Sequence, residues 1–195
     1  AGINEIAIVT GYNREMLADR GAVEFHNPRW AETQMVSSLT CAEKWLMEDI
    51  CIISYSDIFY DIHAVKLLME CAASLAITYD PNWVDLWRKR FGDPLLDAET
   101  FRLNPDNTLA EIGSKPQSIE EVQGQYMGLL RFTPEGWKEA KRYYQSLLAN
   151  AQDSLHMTGM LSGLIKKNIA ISAISYDGRW GEIDNQNDLS VYEQS

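Results

Sequence analysis

The chain has 195 residues, 46% hydrophobic and 23% charged, which suits one domain with a sizeable core. Its 28 carboxylates against 17 lysines and arginines argue against a nucleic-acid partner, which usually needs a basic face, while an anionic nucleotide can still bind where a divalent cation bridges carboxylate and phosphate. No apolar run approaches the roughly 20 residues of a membrane span, and the opening Ala1-Gly2-Ile3-Asn4-Glu5 has no signal-peptide pattern, so no membrane association and a cytoplasmic location are expected.

In chain order, the apolar run at residues 5–9 ends at Thr10-Gly11 and predicts a buried strand, followed by a short helix over 13–19. Further strands are expected at residues 50–55 and 75–79, with helices over 37–47 and 62–73 whose apolar residues recur at three and four spacings. Strands alternating with helices suggest a parallel sheet covered on both faces. Between Pro81 and Gln123 the pattern loosens, with prolines at 81, 94, 105 and 116 and short strands at 99–103 and 108–112 around an Asn104-Pro105-Asp106-Asn107 turn. This stretch, about 81–123, reads as a small β-rich insertion. The α/β pattern resumes with a strand at 126–132, helices over 134–148 and 157–167, and a strand at 169–175. Thr133 before Pro134 is a helix-start signal. No internal repeat or linker divides residues 1–195.

In a doubly wound sheet the ligand sits at the carboxyl ends of the strands. That rule selects Ser54-Tyr55-Ser56-Asp57, whose final carboxylate should project at the ligand edge. Glu182-Ile183-Asp184 near the C-terminus offers two more acids that share a face if the segment is extended. Carboxylates from distant segments converging on one edge suit a hard cation that also binds phosphates. The competing role for Asp184 is a cap on the short helix predicted over 187–192. Trp83 and Trp87 are four residues apart and share a helical face, with Asp80 and Asp85 nearby. They offer either a wall for a cationic acceptor or packing for the insertion. Tyr126 and Trp180 are further candidates for the same pocket. Cys41, Cys51 and Cys71 match no zinc or redox spacing, and His26, His63 and His156 form no cluster.

Several segments together, in order along the chain, resemble the phosphocholine and phosphonate cytidylyltransferases of the nucleotide-diphospho-sugar transferase superfamily. They are Asn27-Pro28-Arg29-Trp30-Ala31-Glu32-Thr33 with Ser37-Ser38-Leu39, then Ser54-Tyr55-Ser56-Asp57-Ile58, then Asp97-Ala98-Glu99-Thr100-Phe101-Arg102. Gln125-Tyr126-Met127-Gly128-Leu129, Met157-Thr158 and Trp180-Gly181-Glu182-Ile183-Asp184 complete the series. The resemblance implies a three-layer α/β/α Rossmann-like sandwich with a mostly parallel mixed sheet. It implies transfer of CMP from CTP to a small phosphate or phosphonate acceptor such as phosphocholine or aminoethylphosphonate, with release of pyrophosphate. Asp57 and Asp184, helped by Glu182, would hold Mg²⁺ and be catalytic, and Thr33, Ser37 and Ser56 would lie against the nucleotide. Asp80, Trp83, Trp87, Tyr126 and Trp180 would lie against the acceptor. A sugar 1-phosphate acceptor, or a non-catalytic nucleotide-binding relative, are the alternatives, and homo-oligomerisation is left open. Gln34 and His156 depart from the family pattern, which loosens the base preference. The family opens with a strand and a glycine-rich loop carrying an arginine, then a downstream lysine. No such segment precedes Ala1, and the first lysine is Lys44. The chain is therefore expected to be N-terminally incomplete, poorly stable alone and without turnover until extended.

Overall fold

The computed structural model describes residues 1–17 and 21–193, so the end of the short helix expected over 13–19 lies outside the described residues. The chain opens with β1 (Ala7–Thr10), a 3-10 turn at Arg14–Leu17 and β2 (Val23–His26). Helices α1 (Met35–Thr40) and α2 (Glu43–Glu48) lead to β3 (Cys51–Ser54), β4 (Ile58–Tyr60), α3 (Ile62–Glu70), β5 (Leu75–Asp80) and α4 (Trp83–Phe91). A hairpin of β6 (Phe101–Leu103) and β7 (Leu109–Ile112) precedes β8 (Gln125–Phe132). Then follow α5 (Pro134–Gln145), α6 (Ala149–Asp153), α7 (Met157–Lys166), β9 (Ser172–Ser175), β10 (Trp180–Glu182) and α8 (Gln186–Glu193).

The largest sheet has the order β3-β8-β5-β9. β5 and β9 run parallel, and β8 runs antiparallel to both β3 and β5. β1 and β2 form a separate parallel pair. The mixed α/β architecture is the expected one, with less parallel pairing than the apolar runs suggest. Every residue of β5 is buried, and a strand buried on both faces reads as apolar in either direction. β1 departs from the fully buried strand expected, since only Thr10 among its four residues is buried.

Two local rules explain the helix ends. Thr133 accepts a hydrogen bond at its Oγ1 from Gly136 N (3.2 Å), with Pro134 in the first turn, so α5 starts where its signal stands. The helix expected over 37–47 is instead split into α1 and α2. Thr40 Oγ1 donates back to the Ser37 carbonyl (2.6 Å), and Cys41 Sγ lies 3.8 Å from the same oxygen. Such side-chain bonds compete with the continuing ladder. The Asn104–Asn107 turn forms as expected: Asn104 N donates to Thr108 O (2.8 Å), and Asp106 Oδ1 accepts from Thr108 N (3.0 Å). The hairpin is tied to the strand beside it by Leu109 N to Ile171 O (2.8 Å) and Ala173 N to Asn107 O (3.0 Å).

The core overturns the acceptor-wall reading of the tryptophans. Trp83 and Trp87 are 1% and 0% exposed, with ring centroids 6.2 Å apart. Trp83 Nε1 donates to the Val122 carbonyl (3.1 Å), and the Trp87 ring lies 6.0 Å from that of Trp180. The shared helical face was correctly placed, but it points inward and anchors α4 to the insertion and to β10. Trp83→Ala should therefore cost about 3–5 kcal/mol of folding stability, measured by chemical denaturation. A stability loss under about 1 kcal/mol would contradict the core assignment.

Candidate active site

The short antiparallel pair β4–β10 assembles the site. Its register sets Trp180 opposite Tyr60 and Glu182 opposite Ile58, and Ile183 N donates to the Asp57 carbonyl (2.8 Å). Segments far apart in the chain are thereby fixed side by side. Carboxylate oxygens of Asp57, Glu182 and Asp184 all lie within 4.8 Å of one another, the one such group of three or more metal-ligating side chains among the described residues. Asp57 and Asp184 are exposed and Glu182 is half-buried. Three carboxylates in this arrangement form an oxygen donor set of the kind that hard divalent cations take.

The capping alternative for Asp184 is resolved by its neighbours. Asn185 Oδ1 accepts from Asp188 N (3.4 Å), while Asp188 Oδ2 accepts from Asn185 N (3.2 Å) and Asp184 N (3.0 Å). This reciprocal box caps α8. The Asp184 carboxylate is left to face Arg90, whose Nη2 lies 2.9 Å from its Oδ2. Arg90 Nη1 also reaches Glu182 Oε2 (3.1 Å) and its Nε reaches Asp188 Oδ1 (3.0 Å). Burial pushes the Glu182 carboxyl above its ordinary value, and the charges of Asp184 and Asp57 add to this, against the lowering effect of Arg90. For Asp188, the Arg90 hydrogen bond and the backbone N–H groups outweigh burial and hold the carboxyl low.

Beside this cluster, and sharing Glu182 with it, opens a cavity of about 210 Å³ lined by Tyr55, Glu99, Gln125, Tyr126 and Thr158. Gly128 shapes its floor. The register of β5 against β8 shifts between Ile77 and Tyr79, and Gly128 in the shifted stretch has φ 74°. A Cβ there would meet the Tyr55 ring at 2.8 Å, so both the left-handed backbone and the close approach call for glycine. Tyr55 and Tyr126 meet edge to face with centroids 6.0 Å apart. Burial raises both phenols well above the ordinary value, so they remain neutral hydroxyls. Glu99 accepts from Thr158 Oγ1 (3.3 Å), and its carboxyl is raised by burial, with Asp97 adding to the effect.

Of the expected site residues, the fold brings Asp57, Glu182 and Asp184 together, with Ser56 exposed beside Asp57 and Tyr126 in the adjoining cavity. Asp80 and Trp180 are corrected along with Trp83 and Trp87. Asp80 is 7% exposed, accepting from Trp180 Nε1 (2.9 Å) and Asn82 N (2.7 Å), so the pair serves packing and the entry to α4. Thr33 and Ser37 belong to other networks. Thr33 Oγ1 accepts from Asn27 Nδ2 (2.9 Å), and the buried Ser37 hydroxyl meets Tyr144 OH (3.0 Å) and the Gln152 carbonyl (3.2 Å). The Ser37 hydroxyl is thus turned to packing, away from an open nucleotide surface. Arg90 was not singled out from the sequence, and Tyr55 and Glu99 entered only as members of longer segments without a role of their own. Arg90 stands seven residues after Trp83 and three after Trp87, on the same helical face, which was the available signal.

The fold has the shape of known nucleotidyltransferases. The inositol-1-phosphate CTP transferase of T. maritima superposes with a TM-score of 0.74 at 16% identity, covering 98% of this chain and 76% of that one. A Bacillus anthracis protein described as a glucose-1-phosphate thymidylyltransferase gives 0.71 at 13% identity, covering 95% and 73%. No protein-family model matches the chain. Among curated proteins, the CTP:phosphoglutamine cytidylyltransferase of Campylobacter jejuni is 35% identical, across 98% of this chain and 81% of that protein. The chain belongs to the cytidylyltransferases of the nucleotide-diphospho-sugar transferase type, a family of nucleotidyltransferase enzymes.

The raised Glu99 carboxyl has a thermodynamic consequence. Its folded-state pKa lies above the ordinary 4.5, so its contribution to stability is full below that value and is lost as pH rises through the folded value. Glu99→Gln removes the titration and should gain stability relative to the parent as pH rises from below the ordinary glutamate value through neutrality. Thermal melts showing a constant difference across that range would contradict the assignment.

Proposed function

We propose that the protein transfers CMP from CTP to a small phosphorylated acceptor carrying a cationic amine, with Mg²⁺ held by Asp57, Asp184 and Glu182. The observation that carries this reading is the three-carboxylate cluster at the mouth of the Tyr55–Tyr126 cavity. An oxygen of the acceptor phosphate attacks the α-phosphorus of CTP, forming a new P–O bond as the bond to pyrophosphate breaks. The acceptor is already anionic, so the chemistry needs no covalent enzyme nucleophile. What the chain contributes is positioning and a preset field. The bound cation would neutralise phosphate charge as it builds at the α-phosphorus.

The acceptor follows from the lining of the cavity. Glu99, with Asp97 beside it, offers carboxylates to a cation, and Gln125, Thr158 and the neutral Tyr55 hydroxyl offer hydrogen bonds. Phosphocholine, aminoethylphosphonate and phosphoglutamine each carry a phosphoryl or phosphonyl group together with a cationic ammonium group. Phosphoglutamine is favoured, because the 35% identical relative bears it in its name. The three free cysteines accord with the cytoplasm as the compartment.

Pyrophosphate release from CTP should be measured with phosphoglutamine, phosphocholine, aminoethylphosphonate and a sugar 1-phosphate, using this chain and an N-terminally extended form. Release is expected with an amine-bearing acceptor, abolished by EDTA and restored by Mg²⁺. Asp57→Asn and Asp184→Asn should each lower turnover by about 100-fold or more in folded protein. Turnover confined to the sugar 1-phosphate would overturn the acceptor assignment, and turnover unaffected by EDTA would overturn the metal assignment.

A further inference from the structure

We infer that Arg90 is the positioning residue of the cation site: its buried guanidinium aims the Glu182 and Asp184 carboxylates so that, with Asp57, they can take one divalent ion. The inference rests on the metal reading given above. Arg90 has a side chain 0% exposed, yet it belongs to the run Arg88-Lys89-Arg90 at the end of a helix, where basic residues ordinarily sit in water. Its Cζ lies 5.0 Å from the Trp87 ring centroid and 4.8 Å from that of Phe91, so the charge is held against two aromatic rings. From there three different nitrogens address three different carboxylates: Nε to Asp188, Nη1 to Glu182 and Nη2 to Asp184, at 2.9 to 3.1 Å.

The division of labour among these acids follows from their surroundings. Asp188 is 2% exposed and caps α8, so it anchors the guanidinium and is closed to an ion from solvent. Glu182 and Asp184 are 25% and 49% exposed and give Arg90 the oxygens Oε2 and Oδ2. Each has a second oxygen for a cation. Without a fixed countercharge, three carboxylates within 4.8 Å of one another would repel and turn apart. Arg90 supplies that countercharge from behind, on the protein side of the cluster. A lysine could not reproduce it, because an ammonium lacks the planar fork that meets three acceptors in fixed directions. Ligands oriented by such partners typically lose about 10- to 100-fold in metal affinity when the partner is removed.

The test is Mn²⁺ binding without nucleotide, followed by water-proton relaxation, for the parent protein and for Arg90→Lys, Asp188→Asn and Asp57→Asn, with a thermal melt of each. Arg90→Lys should bind Mn²⁺ about 10- to 100-fold more weakly. Asp188→Asn, which keeps Arg90 and the helix cap but weakens the anchor, should lose affinity in the same direction by a smaller factor. In turnover assays Arg90→Lys should need correspondingly more Mg²⁺ for half-maximal rate and recover most of kcat at saturation. A folded Arg90→Lys with a lowered melting temperature and parental Mn²⁺ affinity would overturn the proposal and leave Arg90 a packing residue. If Arg90→Lys does not fold, parental affinity in Asp188→Asn overturns it instead. Parent protein that binds no Mn²⁺, or Asp57→Asn that binds like the parent, would sink the metal reading itself.

Discussion

A guanidinium removed from water is tolerable only when its donors are met and its charge is answered, and Arg90 imposes that requirement on three elements at once. Helix α4 brings the charge, seated against Trp87 and Phe91. Strand β10 brings Glu182, and the start of α8 brings Asp188. A shift of any one of the three breaks at least one of the contacts that satisfy the buried guanidinium, a loss made costly by its burial. Trp87, one of the tryptophans that sequence reading offered to an acceptor, is with Phe91 the aromatic bed of this placement, and Trp83 packs against it.

The strands at Cys51–Ser54, Leu75–Asp80 and Gln125–Phe132 were legible because each is built around a short apolar stretch. Their directions were not, since hydrophobic periodicity carries no sign, and β8 runs against both neighbours. The three-residue strands β4 and β10 carry too little pattern to be seen singly, yet their pairing builds the site. The break between α1 and α2 depends on the Thr40 hydroxyl turning back to a carbonyl, a local competition that an amphipathic pattern does not record. Among site residues, Asp57 was readable because it follows a strand-like run, whereas Asp184 fitted a cation ligand or a helix cap by spacing and only the family resemblance favoured the ligand. Trp83 and Trp87 fitted a ligand wall and a core face equally well by spacing, and only burial separates the two. Arg90 was hidden within a basic run that looks like an ordinary solvated helix end.

The cavity and the acid cluster divide polar work between them. Around Tyr55 and Tyr126 the low-polarity surroundings keep phenols neutral and raise Glu99, so a cation entering there meets a carboxylate with little water to compete for it. At the cluster, by contrast, Asp57 and Asp184 face solvent, where a hydrated ion can exchange its waters for carboxylate oxygens. The left-handed Gly128 lines the cavity, and it lets the Tyr55 ring settle onto the strand that carries Tyr126.

The β4–β10 pairing also says something about how the protein comes into being. Asp57 lies in the first third of the chain, and its partners Glu182 and Asp184 lie near the end. Closing so long a loop is entropically expensive and slow compared with forming local helices. A chain still emerging from the ribosome carries Asp57 long before its partners exist, so a nascent or half-folded molecule has no three-carboxylate site with which to sequester metal. Only the finished fold does, and an ion that binds there selects the native state by mass action. Metal loading would thus be confined to the finished fold.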